Sequence, residues 1–290
     1  MNLQVIRQIK AALSNLQPEE VRRTAERPLA IGLIAAGSAG YAAMEDFLMP
    51  PGLSDEKRME LLQQLHRAGE PGAPAQFDLI FYEHHLPRVP GGIAFYEALP
   101  GRTIRAVLDQ REELGLPLAR SFPPFRRPVI DHVIQTISRE NALFALATAL
   151  PNVIPSLVQI PWAVGEFASD TAILTMNQIR MAFLVAAASD SPIGFREEKA
   201  EIASIIAGAF GWRALARGLV GKVPFGGGLI AKGAVAYAGT YVIGLGLERI
   251  YRFGYGLTRE EKREAYEGAL SDGRNVTEKI LASFRKVDAA

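Results

Sequence analysis

The stretch from Asn141 to Leu247 constrains this chain most, because it is apolar, rich in Gly and Ala, and carries only a few charges, set at helical spacing. Such a composition folds as closely packed helices whose few polar groups must find one another. No charged residue occurs from Asn141 to Gly165, a length sufficient to span a bilayer, but Pro151, Pro155 and Pro161 interrupt it. The next segment, WAVGEFASDTAILTMNQIRMAFLVAAAS, reads as one long helix with Glu166, Asp170 and Asn177 nearly in line, since four residues advance about 40° and seven about −20° around a helix axis. A further helix, from about Arg196 to Val220, carries Arg213 and Arg217 one turn apart. Pairing Glu166 and Asp170 with Arg213 and Arg217 across a helix contact, with Asn177 on the same line, satisfies charges that are costly to bury alone, so a buried polar seam is expected.

Helix packing in the same stretch is expected at small residues. Gly208 and Gly211 precede the turn KVPFGGG, and Ala236, Thr240 and Gly244 follow it at spacings of four, a ridge that admits a neighbouring helix closely. The arm from Leu229 to Leu247 is apolar except for Lys232. Two settings for it stay open, a soluble core and a membrane, although Arg213 and Arg217 oppose a lipid-facing first arm. Thr258 and Glu261 then form a capping box opening the helix REEKREAYEGAL, which Ser271-Asp272-Gly273 is expected to end before a last amphipathic helix.

The first half has a different texture. An amphipathic helix is expected from Leu3 to Leu16, and Pro18 with Glu19 and Glu20 opens another. Pro28 to Ala36 is an apolar run of strand length, followed by Gly37-Ser38-Ala39-Gly40 and the helical pattern YAAMEDFL, the opening of a βα unit. Ser54 caps a helix over DEKRMELLQQLHRAG, Phe77 to Tyr82 is a second strand, a helix runs from about Thr103 to a Gly115 cap, and GLPLARSFPPFRRPV reads as irregular.

Phosphate chemistry is sought at the Gly-rich turn. Gly32 and Gly37 have P-loop spacing, but Ser38 and Ala39 stand where Lys and Ser or Thr belong, which removes the phosphate cation and the magnesium hydroxyl. Gly32, Gly37, Ser38 and Gly40 thus form at most a weak anion- or nucleotide-binding turn. Glu83, His84 and His85 close the second strand, and adjacent strand residues point to opposite faces, so one ion would need a further ligand such as His132 or Asp131. No metal site and no cofactor are expected from this pattern.

Charge and cysteine content narrow the class further. Lys and Arg number 32 against 31 Asp and Glu, a formal charge of +1, which leaves no electrostatic footprint for nucleic acid. There are no cysteines, so disulfides, thiolate metal sites and a cysteine nucleophile are excluded. Hydrophobic residues make up 49%, and mean hydropathy is +0.09, concentrated after residue 140. A cytoplasmic location with an inner-membrane association fits this balance.

The runs ENALFALATALPNVIPS, EFASDTAILTMNQIRMAF and AGAFGWRALARGLVGKVPFGGGLIAKGAVAYAGTYVIG resemble the bacterial domain of unknown function found beside Era-like GTPases, over roughly Pro128 to Arg252. The resemblance implies a degenerate or truncated G domain ahead of it. FDLIFYEHHLP would then hold the place of the strand with the magnesium-contacting DxxG motif, which Glu83-His84-His85-Leu86-Pro87 replaces, and no NKxD segment follows. It also implies a GTPase or another protein, or the inner-membrane surface, as partner. The expected fold is mainly α: N-terminal helices over 1–27, a small P-loop-like α/β domain over 28–125, a helical domain over 126–257 and C-terminal helices over 258–290. The expected role is a non-enzymatic docking protein; the alternatives are a nucleotide- or anion-binding switch and a metal hydrolase using His84, His85 and His132.

Overall fold

The structure, a computed structural model, describes residues 16–149, 170–206 and 228–287. The fold is mainly α with a small parallel sheet, and it divides into two compact units. An α/β unit comprises Glu20–Asp131 with Ala187–Ser191, and a helical unit the described parts of Met1–Glu19, His132–Ala186 and Pro192–Ala290.

In the α/β unit, four short strands, β1 (Ile31–Ile34), β2 (Leu65–Arg67), β3 (Leu79–Glu83) and β4 (Ile93–Phe95), pair in parallel in the order β2-β1-β3-β4. Parallel strands are covered on both faces and therefore read as continuous apolar runs. Ile31, Leu33, Leu79, Phe81, Ile93 and Phe95 are accordingly buried. The helices are α1 (Pro18–Ala25), α2 (Ser38–Leu48), α3 (Asp55–Leu62), α4 (Pro100–Gln110), α5 (Gly115–Ser121) and the start of α6 (Pro123–Ala147). Phe47 of α2 packs its ring against Phe81, Phe95 and Phe125 at centroid distances of 6.5, 5.4 and 6.1 Å. Asp78 pins the start of the sheet by accepting from the Ala30 amide (2.9 Å) and from Arg27 (2.8 Å). Burial pushes its carboxyl up, but the Ala30 amide and the Arg27 guanidinium more than offset this and hold it below the ordinary range.

Several expectations are corrected here. The expected helix over DEKRMELLQQLHRAG keeps its Ser54 cap, which accepts from the Lys57 amide, but it stops at Leu62, and Leu65–Arg67 leaves to pair with β1. The helix expected to run to a Gly115 cap ends at Gln110, and Gly115 opens α5 instead, buried against Leu108 and Val129. GLPLARSFPPFRRPV is helical rather than irregular, because Pro117, Pro123 and Pro124 fall in first turns, where an amide donor is not needed. Of the prolines in this segment, Pro128 alone lies in a helix interior. Ala187–Ser191 belongs with this unit through Asp190, whose backbone φ is 58° and whose carboxylate lies 3.4 Å from Lys57, 3.5 Å from Arg126 and 3.8 Å from Arg120.

The helical unit is built from α6 after residue 131, α7 (Asp170–Ala188, through residue 186), α8 (Gly228–Phe253) and α9 (Arg259–Val287). The capping box opens α9 as expected: Thr258 N donates to Glu261 at 2.8 Å and Glu261 N to Thr258 Oγ1 at 3.2 Å. The break expected at Gly273 is absent, and α9 continues through it as one helix. Gly273 is a contact point: a Cβ there would lie 2.8 Å from the Ala234 carbonyl oxygen of α8. One turn on, the fully buried Thr277 faces Gly233, whose Cβ would lie 2.7 Å from Thr277 Oγ1. The expected small-residue ridge works on another side of α8. Thr240 is buried, Gly244 lies so close to Ile134 of α6 that a Cβ would come within 2.7 Å, and Ala236 is half-buried.

Gly273→Ala reverses an ordinary expectation. Within a helix the change normally stabilises by about 0.5–1 kcal/mol, but here the methyl meets backbone, which cannot rotate away. A net loss of about 1–3 kcal/mol is expected from the forced separation of α8 and α9, read as a lowered urea midpoint at unchanged slope.

Candidate functional site

The chain leaves β1 for β2 on one side of the sheet and returns to β3 on the other, so the C-terminal ends of β1 and β3 flank the crevice where doubly wound sheets take ligands. The residues expected to bind an anion sort themselves there. Gly37 is the extended N-cap of α2 (φ −161°, ψ 177°) with open space at its Cβ position, and Ser38 is the exposed first residue of the helix. Gly40 lies buried one turn in. Gly32, by contrast, sits inside β1 with its Cβ position 3.1 Å from the Phe77 ring, so it serves packing and is not part of the turn.

The crevice is already filled by the protein's own anion. Glu83, the last residue of β3, accepts from the Ala36 amide at 2.6 Å with its side chain 16% exposed. A Cβ on Gly40 would overlap its carboxylate, so glycine at that position is what lets Glu83 lie against the first turn of α2. The amide that Glu83 takes is one that a phosphate bound at the start of α2 would compete for.

Beyond Glu83 the two histidines meet edge to face, with His85 Nε2 3.7 Å from Glu83, and do not form a ligand set. His84 lies 5.5 Å from His85 and 5.0 Å from Tyr96 between ring centroids, and Arg102 caps Tyr96 at 4.0 Å. His132 contacts Thr136. Among the described residues no group of three or more His, Asp or Glu is placed to hold a metal ion. Beside the crevice, a cleft of about 270 Å³ includes Leu33, Glu45, His66, Arg67 and Glu70 in its wall. Arg67 is the cation nearest in kind to a phosphate ligand, but it already faces Glu45 at 3.8 Å and Glu70 at 3.7 Å and stacks on Tyr41 at 4.7 Å.

The helical unit holds a second polar constellation. Of the expected seam, Glu166, Arg213 and Arg217 lie outside the described residues, as do Gly208 and Gly211 of the packing set, and Asp170 begins α7. Asn177 is buried, and its partner is Asn141 of α6: Asn177 Nδ2 donates to Asn141 Oδ1 at 2.8 Å. Asn141 Nδ2 in turn donates to Thr240 Oγ1 of α8 at 2.7 Å and to the Leu174 carbonyl at 3.3 Å, and Gln178 Nε2 reaches Thr240 Oγ1 at 3.2 Å. Three helices are thereby locked by neutral amides and one hydroxyl. At the edge of this core Arg180 pairs with Glu140, whose carboxyl is raised by burial while Arg180 acts in the opposite direction.

No family model matches the chain, and neither a curated protein nor a solved structure does. The likeness to the GTPase-associated domains is one of the quoted residues alone.

Three further groups escaped the sequence reading. Asn141 and Gln178 were hidden as single polar residues in apolar helices, and the buried Glu198, which accepts from Tyr251 at 2.8 Å, sat in a charged run that reads as solvated. A polar side chain on the apolar face of a predicted helix is the signal that finds the first two.

Proposed function

We propose that this chain is a non-enzymatic docking protein of the GTPase-associated kind, cytoplasmic and acting at the inner-membrane surface or on a protein partner such as a GTPase. The observation that carries this reading is Glu83. Its carboxylate takes the Ala36 amide and the space against Gly40 that the phosphates of a bound nucleotide would need. Displacing it would put two anions on one helix terminus or require the carboxylate to leave its hydrogen bond, and no uncommitted cation of the cleft wall offsets that, since Arg67 is paired.

A peripheral contact with the membrane fits better than a span. Among the described residues two helices are long and apolar enough to cross a bilayer, Thr171–Ala188 and Gly228–Phe253. Of the first, 83% is buried within the protein. The second packs along α9, which exposes Arg263, Glu264, Glu267, Asp272, Arg274, Glu278 and Lys279. Lipid surrounding α8 would surround those charges too, at a cost of about 2.5–3.5 kcal/mol for each one near the bilayer centre.

Hydrolysis assays test the non-catalytic half of the reading. With GTP or ATP and magnesium, phosphate release is expected at the rate of a protein-free control, and turnover lost in Glu83→Ala but present in the wild-type protein would overturn it.

A further inference from the structure

We infer that the end of the helical unit where Phe195, Phe253 and Tyr255 stand out is the surface that seats in the headgroup region of an anionic bilayer. This rests on the docking reading and names the surface and its chemistry. The three rings are 38%, 52% and 57% exposed. They belong to two segments that the hydrogen bond from Tyr251 to Glu198 joins at 2.8 Å. Phe195 stands three residues before Glu198, edge-on to the buried Phe183 at 5.1 Å, while Phe253 and Tyr255 follow Tyr251 across Gly254, whose φ of 81° turns the chain out of α8.

The apolar helix α8 runs into this rim at its C-terminal end, Phe253. Arginines are interleaved with the rings. Arg252 lies over Phe253 at 4.8 Å and Arg249 over Tyr255 at 5.4 Å. An apolar helix that ends in exposed aromatic rings with arginines among them carries the pattern of a bilayer interface, where the ring sits at headgroup depth and the guanidinium reaches the phosphates.

Charge favours an anionic surface. Arg196, Lys199, Arg252 and Arg259 are exposed, against exposed Glu197 and Glu260. Of the other carboxylates of the region, Glu198 and Glu248 are buried, Glu248 lying 3.6 Å from Arg252, and Glu201 and Glu261 are half-buried, Glu261 held by Arg249 and the Thr258 amide. Cations near a negative leaflet add attraction that falls within a Debye length, so the contact is expected to weaken with salt.

Co-sedimentation of the full chain with vesicles tests this, using phosphatidylcholine alone and with roughly 30% phosphatidylglycerol. Binding is expected to the anionic vesicles, about tenfold weaker to the neutral ones. Phe253→Ser with Tyr255→Ser should lower the partition coefficient at least about tenfold, and Arg196→Gln with Arg252→Gln should act only on the anionic vesicles. Met59→Ser, which removes a comparably exposed hydrophobe from the α/β unit, should leave binding unchanged. All the substituted side chains are exposed, and an unchanged urea midpoint verifies folding. Wild-type binding that survives both double variants overturns this surface and leaves membrane docking standing; a wild-type chain that ignores both vesicle types overturns the surface together with membrane docking.

Discussion

Replacing Asn141 by leucine is expected to lower the unfolding free energy of the helical unit by about 3 kcal/mol. Leucine fills nearly the same volume, so the loss is one of hydrogen bonds. The Asn177 amide would lose its acceptor, Thr240 one of its two donors and the Leu174 carbonyl its side-chain donor, all in a core from which water is excluded. Each buried group left unpaired costs about 1–3 kcal/mol. The same reasoning predicts rescue. With Asn177→Leu and Thr240→Val added, few stranded partners remain, and a large part of the loss should return, because replacing both ends of a buried hydrogen bond by apolar groups is nearly neutral. Urea denaturation of the single and triple variants measures both effects. A single-variant loss under about 0.5 kcal/mol would mean that Asn141 faces water.

The second large effect is one of pH. Glu198 is 2% exposed, accepts from Tyr251 and from the Gly194 amide, and stands near Glu197 and Glu201. Burial, chiefly, raises its carboxyl from the ordinary 4.5 to about 7. The same burial, with the neighbouring Glu198 carboxylate, raises the Tyr251 phenol, so the phenol stays a donor. A folded-state value above the unfolded one means that the folded chain holds the proton more tightly. The stability this confers is complete below pH 4.5 and is lost as pH rises through about 7. Each tenfold gain in proton affinity on folding is worth about 1.4 kcal/mol, so the full swing is about 3 kcal/mol. Glu198→Gln keeps the group polar and abolishes its ionisation. Relative to the wild-type protein, the variant should be more stable above pH 7 by about that amount and close to equal below pH 4.5. Denaturation curves at an acid and an alkaline pH decide it, and parallel pH profiles for the two proteins would show that Glu198 does not titrate in the fold.

Much of this architecture was legible in the residues. The βα opening at Pro28–Leu48, the Ser54 cap and the Thr258–Glu261 capping box follow from local chemistry, and each forms where the pattern places it. What escaped depends on partners remote in the chain. Leu65–Arg67 continues a helix-forming run, and only the open edge of β1 makes it a strand. Gly273 carries the usual mark of a helix end, yet its lack of a side chain is used against the backbone of α8, 39 residues away at Ala234. The Gly-rich turn was recognisable, but its occupant was not, since Glu83 reaches Ala36 through a pairing of β1 with β3 that no local spacing announces. Asn177 was found on the apolar helix, but its partner proved to be an amide in α6.

On the proposed reading, Glu83 occupies the space beside the Ala36 amide and Gly40 that a bound phosphate would need. Isothermal calorimetry of the intact protein against GTP and ATP with magnesium tests it most directly. The occupied seat predicts no saturable heat up to about millimolar nucleotide, which places any residual affinity weaker than about −4 kcal/mol. Saturable binding with a Kd below about 0.1 mM, weakened by a bulky substitution at Gly37, would contradict it.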